Sequence, residues 1–377
     1  MGTMHSIFRL SRLAAPLAAF SFLLIVPAAA QTITLTDIAG REVTLQRPAQ
    51  HVLLGEGRQL NALALLHPNP VGLVAGWLGE LQRFDSATYA LYREKFPDID
   101  KIPLVGITSA ASFSVEKALS VRPDVAIFSG GHGPSARSAE AVRQIEAAGI
   151  PVVFVDFHNK PLENTIPSME ILGKVLGREE QASAFVALYK ERLDRIARGV
   201  GEAREKPKVF LHMHAVLREC CLSAGKGNLG EFIAFAGGEN IAAAVLPGPT
   251  GQLNQEYVLA AKPDIYIATG GAHTIGKGLA IGTSVDEQQA RESLAAMIRA
   301  PNFASMPAVK NEAAFGLWHH FYNSPLNILA VEAMATWFHP EIFKDLDPER
   351  SLAEINTRFL AVPYKGTYWV SLKPQNR

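Results

Sequence analysis

The chain has 377 residues and is formally neutral, with 36 basic against 36 acidic side chains. That balance gives no support to binding of nucleic acid or of an anionic membrane surface. The length suffices for two domains of ordinary size, in a composition ordinary for an α/β protein.

Residues 1–12 carry Arg9 and Arg12 and no acid, residues 13–27 are almost wholly apolar, and Ala28, Ala29 and Ala30 precede Gln31. A basic start, an apolar core and a small-residue site make a secretory signal peptide over 1–30, with cleavage expected after Ala30. The apolar run of about 15 residues falls short of the roughly 20 a spanning helix needs. No cysteine lies near the cut, so no lipid anchor is expected there. The mature chain is expected to be soluble.

Residues 31–165 read as a first α/β lobe, with strands expected near 51–54, 71–75, 125–128 and 152–155. Residues 166–205 read as a helical connector. Phe185, Leu188, Leu193 and Ile196 fall at helical spacing, and the pattern predicts two helices broken near Gly177, the second over about 178–200. Residues 206–377 read as a second lobe, with strands near 208–212, 265–268 and 313–317. The stretch 325–360 is expected to be helical, punctuated by Pro340 and Pro348. Residues 361–377, with Tyr364, Tyr368 and Trp369, are expected to form a surface-lying tail.

The two lobes share a repeat. SVEKALSVRPDVAIFSGG over 114–131 and NQEYVLAAKPDIYIATGG over 254–271 agree at seven of eighteen positions without a gap. Each parses as an N-cap (Ser114 or Asn254), a two-turn helix, a proline stop (Pro123 or Pro263), a short buried strand and a Gly-Gly turn. Strands alternating with helices argue parallel sheets covered on both faces. A long helix joining two such lobes is a stiff connection, so the expected hinge motion is small. Cys220 and Cys221 are adjacent, open either to a vicinal disulfide, to two unpaired thiols or to pairing between chains.

The opening TDIAGREVTLQRPAQHVLL, the S-x-E-x-x-L-x-x-x-P-D-x-x-I repeat, the GIPVVFVD strand and the terminal HPEIFKDLDPE together resemble the periplasmic substrate-binding proteins of iron-siderophore and vitamin B12 ABC importers. The resemblance runs over nearly the whole mature chain. It implies two Rossmann-like lobes bridged by one long α-helix, with a ligand cleft between them. It also implies a periplasmic monomer without a cofactor of its own. Such a protein takes a metal chelate supplied through an outer-membrane TonB-dependent receptor system and passes it to the permease dimer of an ABC importer. In this family an acid on each lobe pairs with permease arginines. The matching positions are Glu116 and Glu256, which fill the same slot of the repeat. First-turn glutamates are also favoured by the helix dipole alone.

In parallel α/β sheets ligands meet the loops beyond the strands' carboxyl ends. That rule selects Arg58, Trp77, His132 and His158 from the first lobe, and His214, Arg218, His273, Trp318, His319 and Tyr322 from the second. Arg58 and Arg218, one per lobe, suit an anionic ligand, which a guanidinium grips in a bidentate fork. Trp and Tyr supply flat apolar walls. The histidines and Tyr322 permit direct coordination of a metal or of haem iron. The expected ligand is a ferric siderophore, then haem, with cobalamin or a bare metal ion after them. A vicinal disulfide at Cys220 and Cys221 would stand on the cleft wall.

The rival class is an enzyme, a periplasmic hydrolase or a chelatase. GAHTIGK over 271–277 nearly matches a phosphate-binding loop, but Gly278 stands where a magnesium-binding hydroxyl belongs. The sequence has no G-x-S-x-G and no H-E-x-x-H.

Overall fold

A computed structural model of the chain describes residues 1–3, 32–136, 139–216, 220–301 and 303–372. The expected leader with its cleavage point, and Arg218, lie outside the described residues. Among the described residues no helix is long and apolar enough to cross a membrane.

A hairpin of β1 (Ile33–Thr36) and β2 (Glu42–Leu45) leads into the first sheet. That sheet comprises β3 (Val52–Leu54), β4 (Val74–Leu78), β5 (Leu104–Gly106), β6 (Val125–Phe128) and β7 (Val152–Phe154). It has the order β5-β4-β3-β6-β7, and every pairing is parallel. Strands β3, β6 and β7 are wholly buried runs of Val, Leu, Ala, Ile and Phe, as a sheet covered on both faces requires.

The second lobe contributes β8 (Lys208–His212), β9 (Leu222–Ala224), β10 (Glu239–Asn240), β11 (Thr250–Gln252), β12 (Ile265–Gly270), β13 (Gly282–Thr283), β14 (Ala314–Trp318), β15 (Gly366–Thr367) and β16 (Trp369–Ser371). Its main sheet has the order β10-β8-β12-β14-β16, parallel except for β16, which runs antiparallel along β14. The terminal stretch is therefore no surface tail. Tyr364, Tyr368 and Trp369 are buried against Trp318 and Phe321. A three-residue strand gives no readable alternation, which is why the pattern missed it.

The repeat works through its Pro-Asp pair. Pro123 and Pro263 end helices Val115–Ser120 and Gln255–Ala261, and the aspartate that follows clamps the start of the neighbouring strand. Asp124 Oδ2 accepts from the Gln50 and His51 amides at 2.8 and 3.0 Å, and Asp264 Oδ2 accepts from the Lys208 amide at 2.8 Å. The N-caps match as well. Ser114 Oγ accepts from the Lys117 amide at 3.3 Å and Asn254 Oδ1 from the Glu256 amide at 2.6 Å.

Helices Pro161–Leu176 and Glu179–Glu202 connect the lobes. Gly177 between them is left-handed, φ +62°, and a Cβ there would press on Pro48 at 2.9 Å. The long helix buries Ala182, Phe185, Leu188, Tyr189 and Ile196 on one stripe. Tyr189 donates to Asn327 Oδ1 at 2.7 Å, and Asn327 donates to Thr165 Oγ1 at 3.0 Å, so both connecting helices are tied to helix Asn327–Phe338 of the second lobe.

Candidate functional site: a histidine-lined crevice

The two lobes meet beside the crevice through direct hydrogen bonds. Thr88 and Thr283 hydroxyls lie 2.8 Å apart, His320 Nε2 donates to the Phe84 carbonyl at 3.2 Å, and Asn228 Nδ2 donates to the His158 carbonyl at 2.6 Å.

On the first-lobe side, the turn after β3 buries Glu56 and Arg58. Glu56 accepts from the Ser129 hydroxyl, from the His132 amide at 2.7 Å and from Asn323 Nδ2 of the second lobe at 2.8 Å. A Cβ on Gly131 would meet the Glu56 carboxylate, and one on Gly133 would meet the Gly55 carbonyl, so the glycines at 130–133 let this loop close over the acid. Burial opposes the Glu56 charge, but Arg58, Ser129, His132 and Asn323 outweigh it and hold the carboxyl below its ordinary range. Nearby Glu80 is pushed up to about 8 by burial, against the pull of Arg58.

Arg58 is 3% exposed. Its Nη1 donates to Tyr322 Oη at 2.5 Å, its Nη2 meets His132 Nδ1 at 2.7 Å, and its guanidinium stacks 5.0 Å from the Tyr322 ring centre. Arginine only donates, so His132 Nδ1 is the acceptor and its proton sits on Nε2. Arg58, expected to grip an anionic ligand, is enclosed here, its charge engaged with Tyr322, His132 and Glu56.

On the second-lobe side, His214 sits at φ +47°, its amide donating to Thr269 Oγ1 at 3.0 Å. His214 Nδ1 lies 2.8 Å from His273 Nε2, and its ring centre lies 3.7 Å from that of His319, whose Nδ1 meets Thr269 Oγ1 at 3.0 Å. Tyr322 joins the two groups, with ring centres 4.8 Å from His319 and 5.4 Å from His158. Burial depresses all these imidazoles, His132 and His214 to about 4, and His319 and His320 well below the usual histidine range. At neutral pH they are uncharged; the His132 lone pair already accepts from Arg58, leaving Nε2–H as a donor, and His214 Nδ1 and His273 Nε2 are engaged with each other.

The structure thus gathers His132, His158, His214, His273 and Tyr322 as partly exposed side chains, with His319 buried behind them. The two tryptophans expected to wall the ligand are buried in this structure. Trp77, 2% exposed, packs on Tyr89, and Trp318, 1% exposed, packs on Phe321, Tyr364 and Tyr368. β4 and β14 each run past the strand end read from sequence, which turns these tryptophans into sheet residues. The sequence also gave no signal for Asn228 or Asn323, whose partners lie on the opposite lobe. Among the described residues no group of three or more His, Cys, Asp or Glu is arranged to hold a metal ion. Cys220 and Cys221 are joined to each other where the chain enters β9, Cys221 buried and Cys220 partly exposed. Glu116 and Glu256 are both exposed in the first turn of equivalent helices.

A family model for periplasmic binding proteins matches residues 64–317. A comparison with curated protein sequences finds no match. The TroA-like periplasmic binding protein FepB from Veillonella parvula is 27% identical with a TM-score of 0.82, over 90% of this chain and 100% of that one. Nickel-bound CeuE of Helicobacter pylori is 18% identical with a TM-score of 0.62, over 87% and 95% of the two chains. A periplasmic heme binding protein from Pseudomonas aeruginosa is 20% identical with a TM-score of 0.54, over 78% and 93%. With two mainly parallel five-stranded sheets and a matched region spanning most of its length, the chain belongs to the periplasmic binding proteins, which work in the periplasm with ABC importer permeases.

Proposed function

We propose that this chain captures a metal chelate, a ferric siderophore, in the crevice and delivers it unchanged to the permease dimer of an ABC importer. The reading is supported above all by one observation: uncharged imidazoles from both lobes, with the Tyr322 phenol between them, line the crevice at the strand ends. A bare ion needs three or four convergent donors. Here the nitrogens pair instead with one another and with Arg58, an arrangement that suits a cargo bringing most of its own ligands. His132, His158, His214, His273 and Tyr322 are the side chains that would meet it, by hydrogen bond or at an open coordination position. Haem is the second reading, favoured by the same imidazole and phenol donors.

In this proposal residues 1–30 are a cleaved, unlipidated leader, the mature chain is a monomer that binds no nucleic acid, and the chelate reaches it from an outer-membrane TonB-dependent receptor. Glu116 and Glu256 meet basic side chains of the permease. The test is the visible spectrum of protein purified from its own periplasm, then titrated with ferric hydroxamate and ferric catecholate chelates. A broad charge-transfer band supports the siderophore, and a Soret band moves the assignment to haem. A chain that neither carries nor takes up any ferric chelate at micromolar concentration overturns the proposal.

A further inference from the structure

The loop that joins β8 to β9 carries both His214 and the Cys220–Cys221 pair. The Met213 amide donates to the Leu222 carbonyl at 2.7 Å and closes the loop at its base, so the chain leaves that bond through His214 and returns to it through Cys221. The outgoing arm is pinned to β12. The His214 amide donates to Thr269 Oγ1 at 3.0 Å and the Ala215 amide to the Thr269 carbonyl at 2.7 Å. The returning arm is pinned by the Leu253 amide, which donates to the Cys221 carbonyl at 3.0 Å.

A disulfide that stabilises a fold does so by closing a loop of chain, and its effect shrinks with that loop. Neighbours in sequence enclose no chain between them, so this bond staples nothing. What it supplies is a reactive group. Cys221 is fully buried, whereas Cys220 is partly exposed, and exposed disulfides are the ones that thiols open. At the other end of the same loop the backbone is strained. His214 sits at φ +47°, a conformation that a residue with a side chain keeps only while its surroundings hold it. Held there, its Nδ1 lies 2.8 Å from His273 Nε2.

We infer that the Cys220–Cys221 bond is a redox site that keeps His214 in the crevice wall, and that a dithiol reductant of the thioredoxin class opens it. A thiolate of the reductant attacks Cys220 Sγ, the bond to Cys221 Sγ breaks, and Cys221 leaves as a thiolate that takes up the proton the attacking thiol gave. The reductant's second thiol then attacks its own sulfur in the mixed disulfide and frees Cys220 in the same way. Two electrons and two protons pass to the cysteines, and the dithiol ends as a disulfide. Two unbonded sulfurs need more room than a bond gives them. Cys221 is enclosed by close-packed core, so the displacement falls on Cys220 and passes into the loop. The arm that carries His214 relaxes out of the left-handed region, and His214 parts from His273. The redox change is independent of what the crevice carries; its effect on ferric chelates rests on the reading proposed above.

The test uses the full chain labelled at histidine, treated with reduced thioredoxin without denaturant, and followed by alkylation and by the imidazole NMR signals. Alkylation should find two thiols, at Cys220 and Cys221. The His214 and His273 signals, identified by their loss in His214→Gln and His273→Gln, should shift, while those of His132 and His158 on the first lobe stay in place. The Cys220→Ser, Cys221→Ser variant should give the reduced pattern with or without thioredoxin. Affinity for whichever ferric hydroxamate or catecholate chelate the oxidised chain binds should fall at least tenfold on reduction and return on reoxidation. Thiols that appear only in denaturant, or a reduction that leaves the His214 signal or the affinity of a bound chelate unchanged, overturn the inference. A His214 shift in a chain that binds no ferric chelate in either state leaves the redox site standing and sinks the proposed cargo.

Discussion

Replacing Arg58 with methionine isolates what the buried charge does. The substitution removes the donor to Tyr322 at 2.5 Å and to His132 at 2.7 Å, and takes away the cation 4.0 Å from Glu56. Stripping a buried charge of its partner costs about 3–5 kcal/mol. Glu56 retains the Ser129, His132 and Asn323 donors, so the loss here is expected at about 2–4 kcal/mol. An unfolding entropy of roughly 2.1 cal/mol/K per residue, over residues 32–372, converts this to a fall in Tm of about 3–6 °C. Calorimetry and denaturant titration measure it. Because the guanidinium is enclosed, affinity for anionic and for neutral ferric chelates should drop by the same factor. An unchanged Tm together with selective loss of the anionic chelate would refute the reasoning and return Arg58 to the ligand surface.

Three further outcomes are expected. The folded state holds His214 uncharged to about pH 4, whereas the unfolded chain protonates it near 6.5. Its contribution is therefore complete above 6.5 and is lost as pH falls from there toward 4. Between pH 7.5 and 5, His214→Gln should lose about 1–2 kcal/mol less stability than the parent. Glu80, raised to about 8, acts in the opposite direction but is common to both chains and cancels in the difference. An equal acid loss in both would mean that His214 is not held neutral. Mass spectrometry of the purified mature chain should show no thiol open to alkylation until reduction exposes two at Cys220 and Cys221; alkylation without reductant would contradict the joined pair. Replacing Glu116 and Glu256 with alanine should abolish uptake by cells while cargo affinity stays within twofold, and an equal fall in affinity would remove both residues from the docking surface.

The repeat made the architecture legible because its Pro-Asp signature does one job in both lobes: Asp124 and Asp264 each clamp the strand beside them. The connector was equally readable, since Phe185, Leu188 and Ile196 mark one helical stripe and Gly177 marks its break. The crevice was legible in position but not in detail. Strand ends locate loops, yet the expected end of β4 fell three residues short and read the buried Trp77 as a loop residue, and one residue did the same to Trp318 at the end of β14. Arg58 shows the deeper limit. Its fate depends on Tyr322, 264 positions away, and on a carboxylate shared with Asn323. No local pattern encodes partners on the opposite lobe, and a basic residue after a strand looks the same whether it faces solvent or another lobe. β16 was missed for the same reason, since three residues gain their burial only by pairing with β14.

Whether cargo sits between the lobes against the histidines is decided by diffraction at the iron absorption edge from crystals of the protein grown with a ferric siderophore. A single anomalous peak is expected in the crevice beside Tyr322, flanked by His132 and His158 on one lobe and His214 and His273 on the other. A peak on the outer face of either lobe, with none in the crevice, would contradict this placement.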